Sequence, residues 1–365
     1  MKKNSRNEKA SERSRAQARL TVGVDVGDKR SWFCILDEEG EIVVKGSLPT
    51  TPNGFKKQFE LLGPSRIALE VGAHSRWISE QLKRYGHEVI VANARQLPLI
   101  YASDRKRDPV DAEKLARVAR LDPKMLCPIE HRSVKAQRDL AILRARDLLV
   151  GMRTKLINAV RGLVKNEGVR IAACSPEKFP AKASEIAPRE LMPALAALLE
   201  QIDSLNQRIG EYDQMIVHKA QTDYPETARL DQVSGVGALT ALGFVLTVED
   251  KHRFAKSRDA GCFVGLRPKQ SESGESAPQL GISKAGDGYL RRLLVNCAQY
   301  ILGRFGPDTD LRRWGLKLAE RGGKNAKKRA VVAVARKLAV LLHRLWVTGE
   351  IYEPLRNNRS TVKAA

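Results

Sequence analysis

A chain of 365 residues that is 42% hydrophobic has apolar material for two or three ordinary cores and is too long for one small domain. Its 64 Lys and Arg against 42 Asp and Glu give a formal net charge of +22, which suits a phosphate-rich partner and argues against a small neutral substrate. Five scattered Cys with no CxxC pair, beside 6 His, point to neither a zinc site nor a disulfide framework and fit a reducing cytoplasm, and no apolar run approaches the roughly 18 residues of a bilayer span, so no membrane partner is expected.

The first 18 residues carry Lys2, Lys3, Arg6, Lys9, Arg13 and Arg15 against Glu8 and Glu12, the composition of a disordered basic arm. From Leu20 the pattern turns to short strands. LTVGVDVG, SWFCIL and EIVVKGSLP follow one another, the last two joined by a turn at Glu39-Gly40. A helix is expected from about Asn53 to Leu62, capped by Thr51 or Asn53, then strands RIALE and EVIVA on either side of the helix SRWISEQLKRYG. Strands alternating with helices after a hairpin predict a mixed sheet with helices packed on it, over residues 19–130.

Beyond Pro109 the chain reads as helix. VDAEKLARVARL is followed by a long arginine-rich helix whose apolar positions include Leu140, Leu143, Leu148, Met152, Leu156, Val160 and Leu163. A Pro- and Ser-rich connector separates it from a stripe of Leu191, Leu195, Leu198, Ile202, Leu205, Ile209, Tyr212 and Ile216, the a/d spacing of a coiled coil. That stripe fits a dimer contact or an internal antiparallel hairpin with residues 133–165 equally well. Residues 131–222 therefore form a helical, coiled-coil region, 223–350 a mostly helical C-terminal domain, and 351–365 a tail. Gly235 and Gly237 in VSGVG, between two helical segments, resemble the turn of a helix-hairpin-helix, whose backbone N–H groups face a phosphate.

Asp25 interrupts a run that otherwise reads as buried strand, and Glu70 ends another. A carboxylate taken out of water is costly unless it is paired, neutralised or bound to a cation. Asp108 and Asp111 stand three residues apart at a helix start and share one face. Each acid has a plainer explanation: Asp108 as a cap, Asp111 as a first-turn residue favoured by the helix dipole, Glu70 paired with Arg66 or Arg76, Asp25 capping a turn at Gly27. All four together, in a strongly basic chain, suit a pair of divalent cations acting on a phosphodiester. Such hard oxygen ligands select Mg²⁺ or Mn²⁺.

The order GVDVG, ALEVG, DPVDA resembles the Asp-Glu-Asp-Asp set of a RuvC-like, RNase H-fold nuclease domain. With the later GVG, GLRPKQSESG and ISKAGDGYLRRLL, the chain resembles the DEDD transposases of the insertion-sequence 110 family, relatives of the Piv DNA invertases, over about residues 20 to 350. The resemblance implies a site-specific DNA recombinase in which Asp25, Glu70, Asp108 and Asp111 hold Mg²⁺. Ser273, before Gly274, would attack the DNA phosphate to form a covalent intermediate. Ser271, Ser276 and Ser283 are the competing hydroxyls. Lys269, Lys284, Arg291 and Arg292 become candidate phosphate contacts, although a solvated basic face explains them equally well.

The resemblance further implies a structured guide RNA encoded by the element, a homodimer or homotetramer in which one subunit's acids meet another's serine, and a bacterial cytoplasmic, nucleoid-associated setting. The chain departs from the family pattern where Lys106-Arg107, rather than Lys-Thr, precede Asp108, and in the extra basic arm. The rival expectations are a RuvC-like nuclease using activated water, with Ser273 structural, and a non-catalytic nucleic-acid-binding protein.

Overall fold

A computed structural model describes residues 20–93, 108–271, 273–274, 276, 278 and 280–357; the basic arm, Lys106-Arg107 and residues 358–365 lie outside the described residues. The chain divides into two compact units, Met1–His131 and Arg132–Ala365.

The first unit is built on a five-stranded mixed sheet in the order β3-β2-β1-β4-β5. Its strands are β1 (Leu20–Asp25), β2 (Arg30–Leu36), β3 (Ile42–Pro49), β4 (Ser65–Glu70) and β5 (Glu88–Ala92). β1 and β2, and β2 and β3, pair antiparallel, whereas β1 with β4 and β4 with β5 are parallel. Two-residue alternation decides which side chains meet which helices. Val22, Val24, Ile67 and Leu69 face one side, where α1 (Pro52–Phe59) and α2 (Ser75–Arg84) supply Phe55, Phe59, Ile78 and Leu82. Thr51 caps α1 by accepting from the Gly54 N–H at 3.1 Å.

The opposite face is small: Ala68, Cys34 and Leu36 receive Ala112, Leu115, Ala116 and Ala119 of α3 (Asp108–Leu121). Gly23 is there because nothing larger fits, since a β-carbon would stand 2.0 Å from the Ala112 carbonyl oxygen and 2.4 Å from the Ala116 nitrogen. The direction of α3 is fixed at its other end, where Arg117 reaches the Gly40 carbonyl and Arg120 that of Glu38. Residues 37–41 follow β2, whose Leu36 pairs with Thr21 at the start of β1. Helix α3 therefore runs opposite to β1, and its first turn lies at the end where β1 finishes.

The second unit is helical. α4 (Val134–Asn166), capped by Ser133, packs against α6 (Met192–Thr222). Val160 and Val164 meet Leu195, Leu199 and Ile202, while Ala136, Leu140 and Leu143 meet Ile216 and Ala220, so the pair is antiparallel. Most of the apolar stripe on α6 is thus buried inside the chain, with Leu199 fully buried beside a half-buried Leu198. The segment read as a connector contains a short helix, α5 (Phe179–Ile186), which Pro180 starts and the buried Phe179 anchors.

After α7 (Thr227–Leu230), the apolar α8 (Ala238–Val248) sends Leu242 and Leu246 to the α4–α6 pair and Phe244, Val245 and Val248 into the largest core. α9 (Arg258–Phe263), α10 (Gly288–Leu302), α11 (Asp310–Ala319) and α12 (Ala326–Thr348) complete that core. Among the described residues no helix is long and apolar enough to cross a membrane.

Candidate catalytic centre and nucleic-acid surface

Val24 of β1 pairs with Leu69 of β4 in parallel register, so Asp25 and Glu70 are the next residues on neighbouring strands, both at the strand ends. Each follows a small residue by two positions, Gly23 and Ala68, and so lies on the face covered by α3. A cavity of about 270 Å³ opens there, lined by Asp25, Asp28, Glu70, His74 and the backbone between them. The residues that offered Glu70 a plain ion pair are engaged elsewhere, Arg66 with Glu88 and Arg76 with Glu80, each at 3.0 Å.

Asp108 and Asp111 occupy the first turn of α3, the end of that helix beside the end of β1. Asp111 is buried at 7% exposure; its Oδ1 accepts no hydrogen bond among the described groups and has Lys114 Nζ at 3.6 Å. A buried carboxylate oxygen without a hydrogen bond is costly, and a cation is the partner that relieves it. The four acids offer only hard oxygen donors, the chemistry of Mg²⁺ or Mn²⁺. Among the described residues, no three such side chains stand close enough together to hold an ion, and Asp108 and Asp111 do not line the cavity that Asp25 and Glu70 share.

Ser273 belongs to the second unit. It sits exposed at the tip of a hairpin-like loop, exchanging backbone hydrogen bonds with Ser276 at 3.1 and 3.0 Å across a turn that Gly274 enters with φ +55°. Lower in the loop Pro268 bridges Ile282, the Lys269 N–H donates to Gly281 and the Lys284 N–H to Gly265. The base is a close backbone crossing: a β-carbon on Gly265 would stand 1.9 Å from the Ala285 carbonyl oxygen, and one on Gly286 the same distance from that of Phe263. The loop thus rises from a closely packed stem and leaves Ser273 exposed.

Residues 22–167 match a DEDD transposase family model, described as a transposase, and residues 227–312 match the model of the transposase IS116/IS110/IS902 family. The transposase for insertion sequence element IS1111A of Coxiella burnetii is 30% identical over 342 residues, covering 91% of this chain and 90% of the relative. The chain belongs to the IS110 transposase family. A probable family 20 transposase of Pseudomonas aeruginosa is 28% identical, with 81% and 88% of the two chains covered. The transposase for element IS1328 of Yersinia enterocolitica is 29% identical, with 66% and 72% covered. Membership of the IS110 family makes this an insertion-sequence transposase, an enzyme that cuts and rejoins DNA, and its DEDD domain suggests a divalent metal.

The basic residues of this IS110 transposase fall into two groups. Lys269 and Lys284 are exposed on the serine loop, and Lys284 holds φ +55°, an uncommon backbone state for a residue with a side chain. Arg291 and Arg292, on α10, have protein partners. Arg291 donates to the carbonyls of Val264 and Ala285 at 3.0 and 3.3 Å, and Arg292 pairs with Asp147 at 2.5 Å. Beside them Asp287 caps α10, accepting from the Leu290 N–H, and meets Arg144 at 3.1 Å. The Tyr289 hydroxyl reaches the Leu143 carbonyl at 3.3 Å, and burial pushes its pKa up to about 12.

Gly235 has φ +88° and packs against Tyr300 and Ile301 of α10, while Gly237 is the N-cap of α8 with nothing over its open side. A groove of about 1000 Å³ runs beside the base of the serine loop, touching Pro268 and Ile282. Arg258, Arg321, Lys328, Arg336 and Lys337 rim it around Trp314, and among the described residues no carboxylate lines it. Neither this groove nor the presence of Asp28 and His74 in the acid cavity follows from the sequence pattern. The available signal was the spacing Glu70-Val-Gly-Ala-His74, a histidine one short loop beyond a strand-end acid.

Proposed function

We propose that this transposase cuts and rejoins the ends of its insertion sequence with two unlike groups, divalent cations on Asp25, Glu70, Asp108 and Asp111 and a nucleophilic hydroxyl on Ser273. The observation that carries the reading is the register of β1 and β4, with Asp25 and Glu70 side by side at the strand ends where α3 begins with Asp108 and Asp111. When bound there, Mg²⁺ or Mn²⁺ supplies positive charge for the phosphate oxygens. Ser273 Oγ forms a bond to phosphorus, its proton passes to a base or solvent, and the 3′ or 5′ oxygen of the cut strand leaves. Attack of that strand oxygen, or its counterpart on the exchanged strand, reverses the bond and restores the serine.

In this reading residues 19–130 form a RuvC-like, RNase H-fold domain, 131–222 a helical region with coiled-coil spacing, and 223–350 the serine-bearing domain with a helix-hairpin-helix-like turn at Gly235 and Gly237. Lys269, Lys284, Arg291 and Arg292 contribute positive charge near the DNA backbone. An element-encoded RNA selects the target by base pairing, and the net charge of +22 and the groove rimmed by arginines and lysines favour such a partner. The enzyme works as a homodimer or homotetramer.

The test is cleavage of labelled element-junction DNA with Mg²⁺, Mn²⁺ or EDTA, using wild type, Asp25→Asn and Glu70→Gln. The expected result is cutting only with the divalent ions and a loss of at least about 100-fold in either variant. Undiminished cutting by both variants would contradict the assignment. In a second reading, hydrolysis by activated water, Ser273 only closes the turn through its backbone pair with Ser276.

A further inference from the structure

Among the described residues lining the acid cavity, one side chain has the opposite hydrogen-bonding character. Asp25, Asp28 and Glu70 are acceptors when ionised, whereas His74 carries a ring N–H. Its ring is held from behind. Trp77, one helical turn further along α2, donates its Nε1–H to His74 Nδ1 at 3.1 Å. The indole is itself locked by an edge-on contact with the buried Phe55, with ring centroids 5.5 Å apart.

An indole N–H can only donate, so Nδ1 must accept with its lone pair, and the ring proton of the neutral imidazole resides on Nε2. That has two consequences. First, Nε2 has no lone pair to give a cation. A metal-ligating histidine donates from its second nitrogen to an acceptor, and here the second nitrogen accepts, which is the reverse arrangement. Second, Nε2–H is a directed donor at the cavity, and the group now in front of it is a weak one. Asp28 Oδ1 lies at 3.4 Å, long for a hydrogen bond, on a side chain 89% exposed. A surface pair of that kind is worth little and is readily exchanged.

We propose that His74 is a phosphate-binding residue of the acid cavity, presenting Nε2–H to a non-bridging oxygen of the DNA strand, and that Trp77 is the positioning residue that fixes its tautomer. The inference rests on the acid cavity being the DNA-cutting site. Cations held by the carboxylates attract the phosphate oxygens, and an oriented N–H adds a directed contact that defines where one further oxygen must sit. Trp77→Phe keeps an aromatic ring beside Phe55 while removing the N–H, and the tautomer readout reports the loss of the donor apart from the smaller ring's looser packing.

The experiment has two readouts. In the full-length, metal-free protein, long-range ¹H–¹⁵N spectra of labelled histidine report which ring nitrogen of His74 carries the proton; Nε2 is expected in wild type and a mixture of tautomers in Trp77→Phe. Binding of a fluorescent duplex carrying the element junction is then measured with Ca²⁺ in place of Mg²⁺, for wild type, Asp25→Asn, His74→Ala and His74→Gln. The loss of one hydrogen bond to a charged phosphate predicts roughly tenfold weaker binding for His74→Ala. His74→Gln, whose amide still offers an N–H, is expected to stay within about threefold of wild type.

Binding by His74→Ala equal to wild type, or a proton found on Nδ1 in wild type, would overturn the proposal. The Ca²⁺ dependence of wild type and its loss in Asp25→Asn test the cation site separately: their absence would remove that site and leave the His74 result to stand or fall on its own comparison.

Discussion

Gly23 and Ala112 touch backbone to backbone: a β-carbon added to the glycine would stand 2.0 Å from the Ala112 carbonyl oxygen. That contact seats α3 on β1 and brings the first turn of the helix, with Asp108 and Asp111, to the end of the strand that carries Asp25. A methyl group there cannot be absorbed by a flexible side chain, because the obstructing atoms are main chain. Gly23→Ala is expected to destabilise the first unit by about 1–3 kcal/mol and to displace α3. Thermal unfolding followed by circular dichroism checks the stability, and divalent-dependent cleavage is expected to fall by more than the loss of folded protein explains.

The second prediction concerns a buried polar cluster that ties α4, α6 and Tyr224 together. Asp139, 6% exposed, accepts from the Tyr224 hydroxyl at 2.7 Å and pairs with Lys219 at 2.9 Å and Lys135 at 3.5 Å. Burial pushes its pKa up, but the hydrogen bonds from Tyr224 and Lys219 and the charges of both lysines outweigh this and hold it below the ordinary aspartate value. A depressed carboxylate stabilises the fold above its unfolded pKa and loses that contribution as pH falls through the folded one. Stability of the second unit is therefore expected to drop below about pH 4 in wild type. Asp139→Ala should lower it by about 3 kcal/mol at neutral pH and flatten that acid limb, and Tyr224→Phe should cost about 1 kcal/mol. Urea unfolding at several pH values measures both.

A third prediction separates the basic residues by what they touch. Lys269 and Lys284 point from the serine loop to solvent, whereas Arg291 is held by the Val264 and Ala285 carbonyls. Replacing Lys269 by Ala, or Lys284 by Gly to suit its φ of +55°, is expected to reduce the slope of log affinity for DNA against log salt by about 1 for each phosphate contact removed. Arg291→Ala is expected to lower the melting temperature and to change that slope by less than either lysine replacement, because its guanidinium is committed to protein carbonyls. A titration of binding against KCl with each variant distinguishes the two groups.

Much of this was legible in the sequence, for physical reasons that also mark where legibility ended. Strand and helix positions followed from short-period patterns: the alternation in LTVGVD, the turn at Glu39-Gly40 and the cap at Thr51 each act within a few residues. Pairing Asp25 with Glu70 required a register between strands 45 residues apart, and only the motif order suggested it. The acid cavity's donor was not legible, because His74 owes its orientation to Trp77, and Trp77 owes its own to Phe55 on a different helix.

The same limit applied to the arginines. A basic stretch such as YLRRLL looks alike whether its side chains face a phosphate or a neighbouring carbonyl, and Arg291 turns back onto Val264 and Ala285 through chain folding that spacing does not encode. The apolar stripe on α6 is complete in the sequence, but its spacing fits a second copy and residues 133–165 equally well, and only the structure packs it on the antiparallel α4. The short helix at Phe179–Ile186 went unseen because a Pro- and Ser-rich context hides a helix that one buried aromatic anchors.

The central claim is that Ser273 becomes covalently joined to DNA, and one gel tests it most directly. Wild type and Ser273→Ala are incubated with Mg²⁺, the element-derived RNA and end-labelled junction DNA, then separated under denaturing conditions. The account predicts a labelled protein–DNA adduct with wild type and none with Ser273→Ala. Cleaved DNA with no adduct from either protein would contradict it and make the enzyme a hydrolytic nuclease, with Ser273 only shaping its loop.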